Sequence, residues 1–570
     1  MRGEASGESR ITGAEALIRS LKRHGVKTIF GYPGGTIMPT FDVLYDHLDE
    51  INHVLVRHEQ GAAHAAQGYA RVSGEVGVCL VTSGPGATNT VTGIADAMID
   101  STPVVVISGQ VATPFLGTDF FQEVDLVGIT QPISKWSYQI QRAEDVAWAV
   151  ARAFYIAKSG RPGPVVLDFA KNAQVEMVEY EPATLDFIRS YDPDPDTDEN
   201  CLQAAVRLID EAKRPLVLVG QGVELGNAQE ELRRFVEKGG LPCGCTLLGL
   251  SAIPTDHPLN KGMLGMHGNL APNIKTNECD VLIAVGMRFD DRVTGTLDTY
   301  AKQARIIHLD IDPSEINKNV KVDIPLLGDC KKTLARLTEL IRENRHTGWI
   351  DGFAEYAKIE DERVIRKEIN PREGPLNMGE VIRAVSEATK NEAVLVTDVG
   401  QNQMMAARYF KFSKYRSMVS SGGLGTMGFA LPAAIGATFG APGRTICAFM
   451  GDGGLQMTIQ ELGTIMEQKA PVKVIVLNNN FLGNVRQWQA MFFGGRYSFT
   501  PMANPDYMKI AEAYGIPSRR VAQREELQAA IREMLQTGGP FMLEACVIEE
   551  GNVLPMTPPG CSVNQMLLEC

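Results

Sequence analysis

The sequence predicts an α/β protein made of three doubly wound parallel-sheet domains. Three observations carry that prediction. Short apolar runs rich in β-branched residues alternate with helical patterns along the whole chain. Runs of that kind belong to strands buried on both faces, which are built into parallel sheets from βαβ units. Many of the runs end in Gly, Asp, Asn or Ser, the residue types found where open α/β sheets bind ligands at the carboxyl ends of their strands. Two linker-like stretches then divide the chain into parts of ordinary domain size: the acidic "SYDPDPDTDEN" (190–200) and "NPREGPLNM" (370–378). The expected domains are 1–190, 191–370 and 371–570.

The strands follow in order. The first domain offers "VGVCLVTSG", "PVVVISG" and "PVVLDFA", the second "PLVLVG", "DVLIAVG" and "RIIHLDID". The third offers "AVLVTDVG", "RTICAFMGDG", "KVIVLNNN" and "FMLEACVI". With 44% hydrophobic and 22% charged residues, the 570-residue chain forms real cores. A net charge of −13 argues against nucleic acid or anionic membrane as the main partner, and leaves small anionic substrates open. The ten cysteines show no disulfide-like spacing, and the pair Cys243-Gly244-Cys245 is too isolated for a zinc site. They read as thiols of a reducing compartment. The N-terminal stretch lacks a signal peptide's apolar core, and no apolar run reaches membrane-spanning length. A cytoplasmic location is expected.

The stretch "CAFMGDGG" (447–454) poses the first chemical question, because Asp452 stands between glycines at the end of a strand. After Gly451-Asp452-Gly453 come 24 residues, reading as the helix "TIQELGTIMEQ" and the strand "VKVIVL", and then Asn478-Asn479. One βαβ unit places Asp452 and Asn479 at the carboxyl ends of neighbouring strands. Both offer the hard oxygen ligands that Mg²⁺ takes together with phosphate oxygens. A helix starting after Gly454 would turn its N–H groups toward such phosphates. A second candidate is Glu59 in "RHEQGAAHAAQGYAR". The small residues that follow it on a helical pattern predict very close packing, as at a subunit interface, and a carboxyl group there would be desolvated. Its plainer reading is a helix-start acid facing the helix dipole.

The GDG-x24-NN spacing resembles the motif of thiamine-diphosphate enzymes. The resemblance implies metal binding by Asp452, Asn479 and the backbone carbonyl of Phe481, with Gly451 and Gly453 against the diphosphate. It makes Glu59 the carboxyl group that activates the cofactor's aminopyrimidine, in an N-terminal pyrimidine-binding domain. The last domain becomes the diphosphate-binding one. Because the two domains of one site come from different subunits in this family, a homodimer or homotetramer is implied. "GGLGTMGFALPAAIG" fits the segment against the pyrimidine, with Gly425 offering its carbonyl and Met427 propping the cofactor into its bent shape. The G-x-G-x-x-G within it follows no strand-turn-helix and is read as incidental.

Nearly the whole chain resembles the acetohydroxyacid synthase (acetolactate synthase) catalytic subunits, through "GYPGG", "RHEQGA", "TSGPGATN", "GTDFFQE", "GMLGMHG", "RFDDRVTG", "IHLDIDP" and "NVLPMTPPG". That family decarboxylates pyruvate and joins the two-carbon unit to pyruvate or 2-ketobutyrate, in branched-chain amino acid synthesis. It also binds FAD in the central domain. The resemblance assigns Met266, His267, Gly286, Arg288, Asp291, Asp310 and Asp312 to that flavin region, although strand-end capping also explains the last two. It assigns Arg292 to the acceptor's carboxylate, which the guanidinium fork suits. Trp488 would pack on the extra methyl of 2-ketobutyrate. Phe121, Gln122 and Lys171 would line the substrate channel. Family members often pair with a small regulatory subunit.

Three positions depart from the family: "FAKN" around Lys171, Gly220-Gln221-Gly222 in place of a triple glycine, and the polar Asn484 where an apolar residue is usual. The alternatives are another thiamine-dependent decarboxylase or carboligase with a different acceptor, and a non-catalytic flavin-binding relative.

Overall fold

The computed structural model describes residues 10–569. The N-terminal reading at residues 1–9, and Cys570, lie outside the described residues. Eighteen strands form three six-stranded sheets, in which every neighbouring pair is parallel. The first sheet contains β1 (Thr28–Gly31), β2 (Asn52–Leu55), β3 (Gly77–Val81), β4 (Val104–Gln110), β5 (Trp136–Ile140) and β6 (Val165–Ala170). The second contains β7 (Pro215–Val219), β8 (Cys243–Cys245), β9 (Asn260–Met263), β10 (Val281–Val285), β11 (Arg305–Asp310) and β12 (Ile324–Leu327). The third contains β13 (Val394–Thr397), β14 (Met418–Ser420), β15 (Ile446–Gly451), β16 (Val472–Asn478), β17 (Ser518–Val521) and β18 (Phe541–Cys546).

The spatial orders are β2-β1-β3-β4-β6-β5, β9-β8-β7-β10-β11-β12 and β14-β13-β15-β16-β18-β17. The first and third sheets thus share one winding, a kinship the sequence did not display. The second has the order in which three strands run out one way and three the other, as in dinucleotide-binding folds. In each sheet the winding reverses between two central strands: β1 and β3, β7 and β10, β13 and β15. A crevice opens there at the carboxyl ends. The central strands are apolar throughout because both faces are covered: Val78, Cys79, Leu80 and Val81 are all fully buried, as are Leu216 to Val219.

The chain forms two compact units. One comprises the chain up to Asp192 together with Gly423–Gly443 and Thr458–Ala470, and holds the first sheet. The other comprises Pro193–Gly422, Arg444–Met457 and the chain from Pro471, and holds the second and third sheets. In the second unit a single hydrophobic cluster includes Val217 of β7 and Leu395 of β13, so these two sheets share core.

In the first unit the helix Glu59–Ser73 packs on the helix Ala430–Gly440. A methyl group on Gly436 would lie 1.8 Å from the carbonyl oxygen of Ala65, and one on Gly68 would lie 2.0 Å from that of Ala433. The small residues are therefore used between two helices of the same chain, with the backbones nearly in contact. The helix expected after Gly454 also differs. It begins at Asp452, ends at Met457, and resumes as the turn Ile459–Glu461 and the helix Leu462–Gln468. Thr458 interrupts it, at φ −135°, with its hydroxyl bonded to Gly428 O at 2.8 Å. The nine described cysteines are free, and no described helix is long and apolar enough to cross a membrane.

Candidate functional site

In the first unit the crevice between β1 and β3 is closed by hydroxyl groups. Thr36 Oγ1 lies 3.0 Å from Thr82 Oγ1 and from Ser83 Oγ, and accepts from Ser83 N at 3.1 Å. The loop after β3 then turns at Gly84, at φ +59°, against the Gln122 backbone, 2.9 Å from where a Cβ would stand. Five residues later Asn89 donates to Glu59 Oε2 at 2.9 Å. Glu59 is the first residue of its helix and half-buried, so it keeps the helix-start position as well. The same loop thus brings Glu59 and Gln122 to the carboxyl end of one sheet.

Gln122 owes its place to Glu123. The Glu123 carboxylate accepts from the backbone N–H groups of Gly117, Thr118 (3.2 Å) and Phe120 (3.1 Å). Those bonds, Gly117 first, hold it below the usual carboxylate range. They curl the loop so that Gln122 sits at φ +62° and the Phe121 ring stands 79% exposed. Lys171 is exposed at the start of the helix Lys171–Val175 that follows β6. Its neighbour Asn172 accepts from Thr113 N at 2.9 Å, which ties the Lys171 turn to the Gln122 loop. In the same unit Gly425 is exposed at φ +69° and Met427 is half-buried. Their segment is anchored by Gly423 N donating to Asp100 Oδ1 at 2.7 Å and Thr426 Oγ1 donating to Asp96 Oδ1 at 3.1 Å. Asp100 is itself in a buried ion pair with Arg71 at 2.8 Å.

In the second unit Asp452 directly follows β15 and starts a helix, and is 1% exposed. Burial pushes its carboxyl up to about 6 against a bond from Asn504. Asp452 Oδ1 is buried without a hydrogen-bond partner among the described residues. Asn479, next to the end of β16, donates its amide N–H to Gln401 Oε1 at 3.3 Å, which turns its own carbonyl oxygen elsewhere. Phe481 pairs with Pro501 two residues on. An orphaned carboxylate oxygen and an amide oxygen on neighbouring strand ends fit a small hard cation, because a buried acceptor without a partner costs about 1–3 kcal/mol unless a ligand satisfies it. Gly453 is buried and Gly451 half-buried. Gly454 is required, since a Cβ there would stand 2.2 Å from Asp398 Oδ1 at the end of β13.

The second crevice, between β7 and β10, is built by glycines. Gly222 N donates to Gly286 O at 2.9 Å, and a Cβ on Gly222 would lie 2.6 Å from Gly286 Cα. Gly286 sits at φ +58°. The Gly220-Gln221-Gly222 departure therefore keeps glycine at both positions where the two strand ends touch. Asp310 accepts from Asp312 N and Asp312 from Ser314 N, each at 2.9 Å, so both acids do cap the end of β11. Arg288 is half-buried beside Phe289, which sits at φ +51°.

Met266 and His267 lie in a loop held by a buried ion pair that sequence reading missed. Arg408 donates to His267 O at 3.0 Å and Gly268 O at 2.7 Å and pairs with Glu360, and Glu360 accepts from Leu270 N at 2.7 Å. Burial pushes the His267 imidazole down to about 3, so it is neutral. Breaking such a pair by removing one partner costs about 3–5 kcal/mol. Arg408 lies in a helix and Glu360 at the end of another, and only tertiary packing joins them.

Met266, Asp291, Arg292 and Trp488 line one cavity of about 240 Å³ in the second unit. Thr557, Pro558 and Pro559 form part of its wall. Met266 N donates to Arg292 O at 2.7 Å, and Thr557 N to Met266 O at 2.8 Å, so three distant segments are laced by backbone bonds. Arg292 keeps a 63% exposed side chain, with Asp291 at 3.3 Å and Met266 Sδ at 3.5 Å. Trp488 packs edge-on to Phe492 at 5.4 Å. The sequence "NVLPMTPPG" carried the signal for the C-terminal wall, but not its place. Asn484, one turn before Trp488, has a buried Oδ1 without a hydrogen-bond partner among the described residues.

Residues 11–129 match the N-terminal TPP binding domain of thiamine pyrophosphate enzymes, 202–337 their central domain and 398–545 their C-terminal TPP binding domain. The chain is 45% identical over 559 residues to a probable acetolactate synthase large subunit of Methanocaldococcus jannaschii, covering 96% of this chain and 94% of that protein. It is 43% identical over 561 residues to the acetolactate synthase isozyme 2 large subunit of Escherichia coli, covering 98% and 99%. Against the acetolactate synthase large subunit of Corynebacterium glutamicum it is 44% identical over 570 residues, covering 98% and 91%. The chain belongs to the acetolactate synthase large-subunit family of thiamine pyrophosphate enzymes.

Proposed function

We propose that the chain is an acetohydroxyacid synthase: it decarboxylates pyruvate with thiamine diphosphate and condenses the two-carbon unit with pyruvate or 2-ketobutyrate. The observation that supports this reading over other thiamine-dependent carboligases is the joining of Met266, Arg292 and Trp488 in one cavity of about 240 Å³. Such a space offers a cation for a carboxylate and an apolar wall for a short alkyl group, which is the chemistry of a small 2-ketoacid acceptor.

Thiamine diphosphate, when bound, supplies the carbanion and electron sink that 2-ketoacid decarboxylation requires. Asp452, Asn479 and the Phe481 carbonyl hold Mg²⁺, and the helix beginning at Asp452 presents its first N–H groups to the diphosphate. The Glu59 carboxyl group, steadied by Asn89, would hydrogen-bond the aminopyrimidine of the bound cofactor. Gly425 and Met427 position that ring. Arg292 grips the carboxylate of the second ketoacid through paired N–H groups, and Trp488 favours an ethyl over a methyl substituent. The glycine-lined second crevice, with Met266, His267, Gly286, Arg288, Asp291, Asp310 and Asp312, holds FAD without net redox change. Gln122 and Lys171, on adjoining turns with Phe121, line the approach for anionic substrates. The working form is a homodimer or homotetramer whose active site draws on two copies, and a small regulatory subunit is its further partner.

The test is a product assay with pyruvate, thiamine diphosphate and Mg²⁺, with and without FAD, quantifying acetolactate, CO₂ and acetaldehyde. FAD-dependent acetolactate is expected; CO₂ with acetaldehyde alone would refute the acceptor site. Glu59→Gln should lose most turnover while remaining folded, and unchanged turnover would remove Glu59 from this role.

A further inference from the structure

Asn504 is a loop residue of "MANPDY" that no motif singles out. Its side chain nevertheless meets both strand ends of the Asp452 site. The amide N–H group donates to Asp452 Oδ2 at 2.6 Å, to Asn478 Oδ1 at 3.1 Å and to Asn480 Oδ1 at 3.1 Å. Two hydrogens serve three acceptors, and the shortest contact goes to the carboxylate.

The orientation of this amide is set from its other end. Asn504 Oδ1 accepts from Gln456 Nε2 at 2.8 Å and from the Tyr507 hydroxyl at 3.1 Å. Both neighbours are fixed. Gln456 lies on the helix that Asp452 starts, and the Tyr507 side chain is fully buried with its hydroxyl also 3.2 Å from Asp452 O. A flipped amide would face its N–H groups toward the Gln456 N–H group and its oxygen toward the Asp452 carboxylate, losing both contacts.

The consequence falls on Asp452. With Oδ2 engaged by Asn504, the carboxylate is pinned in one rotamer and its Oδ1 has no partner among the described residues. A turn residue needs none of this. A buried carboxylate held by one oxygen and bare on the other is the arrangement by which outer hydrogen bonds aim a metal ligand. Asn478 and Asn480 flank Asn479, so the same amide also braces the loop carrying the second ligand.

We infer that Asn504 is the positioning residue of the divalent-cation site, aiming Asp452 Oδ1 at the ion and bracing the Asn479 loop. This rests on the reading that Asp452 and Asn479 bind the ion. The test is direct titration of the full chain with Mn²⁺ in the presence of thiamine diphosphate, followed by electron paramagnetic resonance. Wild type, Asp452→Asn, Asn504→Ala and Tyr507→Phe are compared, with the thermal midpoint of each metal-free protein as the folding check.

The expected result is that Asp452→Asn abolishes tight Mn²⁺ binding and Asn504→Ala weakens it about 10–100-fold. Tyr507→Phe should show a smaller loss in the same direction, with the metal-free midpoint retained. Should Asp452→Asn bind Mn²⁺ as wild type does, the metal-site reading itself fails. Should Asp452→Asn lose binding while Asn504→Ala keeps wild-type affinity, the role of Asn504 alone is overturned. If Asn504→Ala does not fold, Tyr507→Phe decides, and unchanged affinity in that variant overturns the inference.

Discussion

Replacing Gly436 by Ala should open the crossing between the helices Glu59–Ser73 and Ala430–Gly440. The added methyl would stand 1.8 Å from Ala65 O, where a carbon–oxygen contact settles near ~3.3 Å, so the backbones must part by about 1.5 Å. A gap of 0.5–1 Å already forfeits about a quarter to a half of each dispersion contact, and overpacking costs about 1–3 kcal/mol. Against this stands the roughly 1 kcal/mol by which Ala exceeds Gly in a helix interior. Because a separation of about 1.5 Å puts the overpacking cost at the upper end of that range, the net loss is about 2 kcal/mol. Native-state hydrogen exchange of the Glu59–Ser73 amides should then quicken about 30-fold, at tenfold per 1.4 kcal/mol. Gly348→Ala is the matched control, since Gly348 is also helical but a Cβ there meets nothing within 4 Å. It should stabilise its helix by up to about 1 kcal/mol. Exchange in folded Gly436→Ala as slow as in wild type would refute the argument that backbone contact sets this crossing.

Three further outcomes are expected. Burial pushes the fully buried Glu461 up to about 7, from an ordinary 4.5, so the native state keeps a proton that the unfolded chain releases between those values. That contribution is complete below pH 4.5 and is lost as pH rises through 7, on the order of 3 kcal/mol; Glu461→Gln should flatten the pH dependence of the unfolding midpoint across this window, and an unchanged slope would refute it. Trp488→Leu should lower the preference for 2-ketobutyrate over pyruvate by about tenfold, since one methylene is worth about 1–3 kcal/mol; competition between the two acceptors, read as a product ratio, measures it. Asn484→Leu removes the unpartnered buried Oδ1 and should raise the unfolding free energy of the ligand-free protein by about 1–3 kcal/mol; a lower denaturation midpoint would count against it.

Every strand legible in the sequence lies in a sheet interior, although the short interior strands Thr28–Gly31 and Cys243–Cys245 went unread. "VGVCLVTSG", "DVLIAVG" and "KVIVLNNN" read correctly because both of their faces are covered and every position must be apolar. The edge strands Asn52–Leu55, Trp136–Ile140, Asn260–Met263, Ile324–Leu327, Met418–Ser420 and Ser518–Val521 gave no such signal, as each has a neighbour on one side only and is short. The helix after Gly454 was misjudged for a similar reason. Its break at Thr458 is made by a bond to Gly428, which is distant in sequence.

By itself the sequence determined the three-sheet α/β class, the family, and the Asp452 and Asn479 positions, because strand-end motifs are local and their spacing spans a single βαβ unit. Only the tertiary structure decided that Glu123 shapes the Gln122 loop, that Arg408 and Glu360 hold Met266 and His267, that Thr557 to Pro559 wall the Arg292 cavity, and that Asn504 turns Asp452. Except for Glu123, whose partners are local, each of these joins residues on separate segments. Hydrogen bonds and buried charges of that kind depend on which segments the winding of the sheets brings side by side, and no periodicity along the chain encodes such a meeting.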